Sequence, residues 1–226
     1  MAMQWHPPRT PEFRHEYSRH YPMAGLAVFW KRPTLPAMLG LFSNNRRRPD
    51  YAASVYAAIV EAARNQLFYT RFGVPDTLDG RFEILSIMLH AVNRRLVHGK
   101  DPDKGFSRRI TEHFVVDMDS NLRDMGVSDV RVAKKMKTLY GAYGGRIGAY
   151  DIALASGGDA LEKAVARNVF AQGASAGAAA ALAAYIQAAE TMLEGIPTFD
   201  IGAGHVAFPD PAAFLPATVS SPPEAS

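Results

Sequence analysis

Of the 15 prolines in this 226-residue chain, only Pro75 and Pro102 fall within residues 50–196. An interior proline removes a backbone donor, collides with the preceding turn and costs a helix about 3 kcal/mol. The middle of the chain can therefore carry long helices. The flanks, with the other 13 prolines in 79 residues, cannot sustain them. Charge divides at the same borders. Residues 1–49 hold eight Lys/Arg against two Glu, residues 197–226 hold three acids and no base, and the stretch between is neutral. Three regions follow: a basic, Pro/aromatic-rich and partly disordered leader (1–49), a helical domain (50–196), and a Pro-rich acidic tail (197–226). The absence of cysteine excludes disulfides, thiolate zinc and thiol catalysis. A domain of about 150 residues buries roughly 68–70% of its unfolded surface, enough for a core without covalent staples.

The apolar stretch Met23 to Trp30 follows Arg14 and Arg19 but is short, lacks a small-residue cleavage pattern and runs into Lys31-Arg32-Pro33, which argues against a secretory signal. Met38 would itself make a plausible start. Arg46, Arg47 and Arg48 read first as a solvated charge run, and alternatively as a contact with anionic lipid or ribosomal RNA.

Ala52, Val55, Ile59 and Ala62 recur at helical spacing, with Leu67 extending the stripe. Asp76 is placed to cap a second helix, with Asp79 near its positive end; Phe82, Leu85, Leu89, Val92 and Leu96 step along it until Gly99. A third runs from Phe106 to Met125 through Ile110, Phe114, Met118 and Leu122, with Gly126 placed for a left-handed stop. Asp129 can cap a fourth, which turns Val132, Met136, Leu139 and Tyr143 inward and Lys134, Lys135 and Lys137 outward. Gly144-Gly145 should break it, leaving a short helix through Ile147, Tyr150 and Leu154. Asp159 and Glu162 resemble a capping box, and an alanine-rich helix runs from about Ala174 to Glu194. No segment alternates with period two. The expected fold is all-α, a single globular bundle of about six or seven helices between an irregular leader and tail.

The alanine-rich helix is too weakly apolar to span a bilayer, and the GxxxG spacing of Gly173 and Gly177 suits close helix packing. Asp117, Asp119 and Asn121 imitate a calcium loop, but Leu122 and Ser128 stand where Gly and Glu belong. His113 and Asp117, one turn apart, supply two metal ligands without a third. His90 and His98, two turns apart, have no obvious carboxylate partner nearby in sequence, and Gly141, Gly144, Gly145 and Gly148 fit no dinucleotide loop.

Four ordered blocks carry a likeness. They are Tyr56 to Arg64 with Phe68-Tyr69, Val74-Pro75-Asp76-Thr77-Leu78-Asp79-Gly80-Arg81-Phe82-Glu83 with His90, Asp117-Met118-Asp119 through Asn121-Leu122-Arg123 to Asp129, and Gly145-Arg146 with Tyr150. Over residues 51–154 the chain resembles the ubiquinol-cytochrome c chaperone family, with Ser128 and Asp124 where the family more often has Gly and Glu. The resemblance implies a non-catalytic assembly chaperone of respiratory complex III that needs no cofactor and binds newly made cytochrome b. It further implies a small partner assembly factor and the ribosome as contacts, peripheral membrane association and no DNA. The expected place is the cytoplasmic side of a bacterial inner membrane, or the matrix side of the mitochondrial one.

Candidate partner-binding residues come from the matched blocks. Asp79, Arg81 and Glu83 can form an exposed patch or serve the helix start. Asp119 and Arg123 can recognise a partner or simply pair. Asp117, Arg146 and Tyr150 can line a groove or join helices. Two alternatives stand beside the chaperone: a ribosome- or RNA-associated protein driven by the basic leader, and a metal-dependent helical enzyme built on His113 and Asp117.

Overall fold

In a computed structural model, residues 50–171, 173 and 177–216 are described. The expected leader at 1–49 and the last residues of the tail lie outside them, as do residues 174–176 of the expected alanine-rich helix. From Tyr51 onward the chain forms one unit. Its elements are α1 (Tyr51–Ala63), α2 (Leu67–Thr70), α3 (Leu78–His98), α4 (Lys104–Asp124), α5 (Asp129–Ser156), α6 (Ala160–Asn168), α7 (Ala178–Glu194), α8 (Thr198–Gly202) and a 3-10 turn (Pro211–Phe214). There is no strand among the described residues, and the all-α expectation holds.

Sixteen of the 21 residues of α3 are buried, because α1, α4, α5 and α7 all pack around it. The apolar stripe read from Phe82 to Leu96 is real, but polar residues on the other sides of α3 are buried too, among them Glu83, Ser86, His90 and Asn93. Asp76 does not cap this helix. Thr77 does, its hydroxyl accepting from the Gly80 N–H at 3.2 Å, while Asp76 turns to Arg81 at 2.6 Å. Threonine one residue later sits at the required offset from that amide. Gly80 is needed there for space, since a Cβ would strike the Pro75 carbonyl.

The first helix stops at Ala63 instead of reaching Leu67; the Asn65 side chain accepts from the Leu67 N–H at 3.0 Å and opens α2, which buries Phe68. Asp103 caps α4 by accepting from the Phe106 N–H at 2.8 Å, and Gly126, with φ 76°, closes the far end. Ser128, not Asp129, is the cap residue of α5, and its side chain makes no capping bond.

Gly144-Gly145 does not break α5, which runs unbroken for 28 residues. Each interior glycine costs a helix about 1 kcal/mol relative to alanine. Tyr143, Ile147 and Tyr150 are buried on one face around the pair, and burying a large side chain is worth about 1.5–3 kcal/mol. Packing therefore overrides propensity.

Asp159 precedes α6 as expected, but its side chain makes no cap bond and instead meets Lys163 at 2.7 Å. Gly173 and Gly177 have φ of 110° and 78°, left-handed values outside any helix, so the expected GxxxG packing face does not exist. The alanine-rich helix starts at Ala178 and buries Leu182, Tyr185, Ile186, Ala189 and Leu193. No helix among the described residues is long and apolar enough to cross a membrane.

The border expected at residue 196 falls too early. Ile201 on α8 is fully buried, and Phe214 meets the Tyr185 ring edge-on at 5.8 Å. Arg95 holds this return of the chain. It donates to the carbonyls of Leu193 at 3.1 Å and Ile196 at 2.7 Å, and to Thr198 Oγ1 at 3.0 Å. Asp101 pairs with it at 2.7 Å and accepts from the Thr198 N–H at 3.0 Å. These bonds, the Thr198 amide first, hold the Asp101 carboxyl down to about 2. Pro197, Pro209 and Pro211 forbid long helix in this segment but do not keep a short helix and a turn from docking.

Candidate functional site

Each face of α3 has its own polar partners. Towards α5, Glu83 receives the Arg146 guanidinium, which donates from Nε to Oε2 at 2.6 Å and pairs through Nη2 with Oε1. The same guanidinium lies 5.7 Å over the Phe82 ring. Glu83 is only 4% exposed, so the expected exposed patch of Asp79, Arg81 and Glu83 loses its third member. Burial pushes the Glu83 carboxyl up to about 7, against the pull of Arg146.

Two turns along, His90 places Nε2 3.2 Å from Asp151 Oδ1, and its ring stacks on Tyr150 at 6.4 Å. The carboxylate that sequence neighbours do not offer to His90 comes from α5. Arg94 joins the seam at 3.3 Å from the same Asp151 oxygen and at 3.0 Å from Glu190 Oε2 on α7. Burial raises the Asp151 carboxyl, but hydrogen bonding and charge from His90, with Arg94, outweigh it and leave it below the ordinary range. Glu190 goes the other way, because burial exceeds what His90 and Arg94 return. Tyr150 is fully buried, and its phenol is raised by burial and by the Glu83 charge.

Glu83, Arg146 and Tyr150 thus come together in one α3–α5 seam. They join helices rather than line an open groove. Asp117 has a different partner, accepting from the Tyr56 hydroxyl on α1 at 2.7 Å, with the His113 ring 6.4 Å from that tyrosine. Burial first, and then Asp117, raise the Tyr56 phenol. No group of three potential ligands able to hold a metal ion occurs among the described residues, so nothing there completes a site on His113 and Asp117.

The remaining candidates are exposed. Asp79 lies free of the core in the first turn of α3, and Arg81 pairs with Asp76 while its guanidinium stands 6.0 Å over the Tyr69 ring. Arg123 bridges the end of α4 to the start of α5, donating to Asp119 Oδ2 at 2.6 Å and meeting Asp129 Oδ1 with its other arm. Exposed pairs of this kind are worth about 0–1 kcal/mol.

Sequence reading missed Arg94, Asp151 and Glu190. A signal was present: Glu83, Ser86, His90 and Asn93 step 3, 4 and 3 along α3, a polar stripe inside an apolar helix. Asn93 completes it, accepting from the Ser107 hydroxyl at 2.8 Å and donating to Thr111 at 3.0 Å.

No curated protein matches the chain. Among solved structures, it is similar to the crystal structure of the Cbp3 homolog from Brucella abortus, with 34% identity and a TM-score of 0.65 over 73% of this chain and 91% of that one. A model of the ubiquinol-cytochrome C chaperone family matches residues 70–208, more than half of the chain and reaching past the α8 segment that Arg95 holds. On that match and that shared helical fold, the chain belongs to the ubiquinol-cytochrome c chaperone family, whose members assist the assembly of respiratory complex III.

Proposed function

We propose that the protein is a non-catalytic chaperone that binds newly made cytochrome b and stabilises it until complex III assembles. The family match over residues 70–208 carries this reading. A client made of membrane helices presents apolar faces before it finds its partners. Helical proteins cover such faces with apolar side chains set among polar ones. Leu78, Val116 and Ile152 suit that task, being 51%, 59% and 49% exposed on α3, α4 and α5. Exposed Asp79 and Arg81, and the Arg123 bridge, supply polar recognition beside them, while Glu83, Asp117, Arg146 and Tyr150 hold the helices that display these groups. The work takes place at the face of the inner membrane, with a small partner assembly factor and the ribosome as further contacts.

A deletion strain tests the proposal. Haem-loaded cytochrome b and ubiquinol-cytochrome c reductase activity should both fall, and wild-type protein should restore them. Unchanged levels of both in the deletion strain would refute it.

A further inference from the structure

The turn between α4 and α5 leaves apolar surface uncovered beside positive charge. Val130, in the first turn of α5, is 85% exposed, and Met125 at the end of α4 is 52% exposed. Between residues 130 and 150, α5 contains five bases and no carboxylate. Arg146 is committed to Glu83. The other four, Arg131, Lys134, Lys135 and Lys137, are exposed, and none appears in an ion pair among the described residues. Two of the three carboxylates at the turn, Asp119 and Asp129, are already engaged by Arg123, leaving Asp124. The turn and the adjoining half of α5 are therefore electropositive.

Helical phase puts these groups in order. Val130, Lys134, Lys137 and Gly141 step 4, 3 and 4 along one line, opposite the buried Val132 and Tyr143. Nothing lies within 4 Å of where a Cβ on Gly141, Gly144 or Gly145 would stand. Along this side the lysines rise above a low surface.

We propose that the α4–α5 turn and the outward side of α5 form a docking surface for an anionic lipid bilayer. Met125 and Val130 enter the headgroup region, and Arg131, Lys134, Lys135 and Lys137 meet lipid phosphates. A lipid interface uses both features of the site at once: apolar tips sink below the headgroups while lysine stems reach back to the phosphates. RNA would use the charges but draw nothing from a valine left open at the leading edge. The inference deepens the membrane-face part of the proposed function and does not depend on the identity of the client.

The test is sedimentation of the full chain with phosphatidylcholine vesicles, with and without phosphatidylglycerol. Binding should require the anionic lipid and fall as salt rises. The exposed triple variant K134A/K135A/K137A should weaken partitioning at least about tenfold, since each basic residue near such a surface contributes a factor of about five. V130N should weaken it about threefold or more without altering the helical circular dichroism. The leader also carries Arg46, Arg47 and Arg48, so R46A/R47A/R48A is run in parallel and should leave the α5-dependent part in place. Equal binding to neutral vesicles, wild-type partitioning by the triple variant, or loss of all binding in the leader variant would each overturn the proposal. So would a triple variant that loses polyuridylate binding yet keeps vesicle binding. Vesicle binding lost in the triple variant with normal reductase activity in the cell would uphold the surface while separating it from the chaperone reading.

Discussion

Glu83 and Arg146, 63 residues apart, form a two-pronged ion pair inside the bundle, with Arg146 Nε 2.6 Å from Glu83 Oε2. A buried pair of this kind need not stabilise the fold relative to apolar residues, but losing one partner strands the other. R146A should therefore cost about 3 kcal/mol or more in urea unfolding, and E83Q distinctly less. Equal costs for the two would show that Glu83 is not stranded.

The same pair makes stability depend on pH. Glu83 is raised from 4.5 in the unfolded chain to about 7 in the folded one. A group raised on folding contributes stability that is complete below its unfolded value and lost as pH rises through its folded value. Its contribution should thus fall between pH 4.5 and about 7, and Glu190, also raised, acts in the same direction. Asp101 opposes them at the acid end, since its lowered carboxyl favours folding above 3.8 and stops doing so as pH falls through about 2. The stability of E83Q relative to wild type should rise across pH 4.5 to 7, read from urea midpoints at each pH. A flat difference would contradict the assignment.

Arg95 is the clamp on the returning chain. R95A removes donors from two buried-end carbonyls and from Thr198, and should cost about 3 kcal/mol. The loss should be local first. Limited proteolysis should cut after Ile196 in R95A under conditions that leave wild type intact, and a wild-type digestion pattern would argue against the clamp.

Glycines divide into those that are needed and those that are tolerated. G80A drives a methyl into the Pro75 carbonyl and should destabilise by about 1–3 kcal/mol. G141A and G145A meet open space in helical backbone and should each stabilise by about 0.5–1 kcal/mol in thermal melts. Destabilisation by either α5 substitution would mean that these glycines have a neighbour.

Residue types and their spacing were enough to establish the all-α class, the central helix ended by Gly99, the left-handed stop at Gly126 and the three blocks between Val74 and Tyr150 that fall within the family match; the first block, Tyr56 to Tyr69, lies before it. These depend on interactions within about four residues along the chain, which sequence displays directly. Local rules erred where a distant contact set the outcome. Tyr143, Ile147 and Tyr150 carry α5 through Gly144-Gly145, and Arg95 draws the segment beyond Ile196 into the domain. The candidate residues divide the same way. The i to i+4 pairing of Asp119 with Arg123 was visible in sequence, whereas Glu83 with Arg146, His90 with Asp151 and Tyr56 with Asp117 were not. A buried carboxylate needs a counter-charge from some helix, but which helix supplies it depends on how the bundle packs around α3. Spacing along the chain gave each helix its faces, and only the tertiary structure paired them.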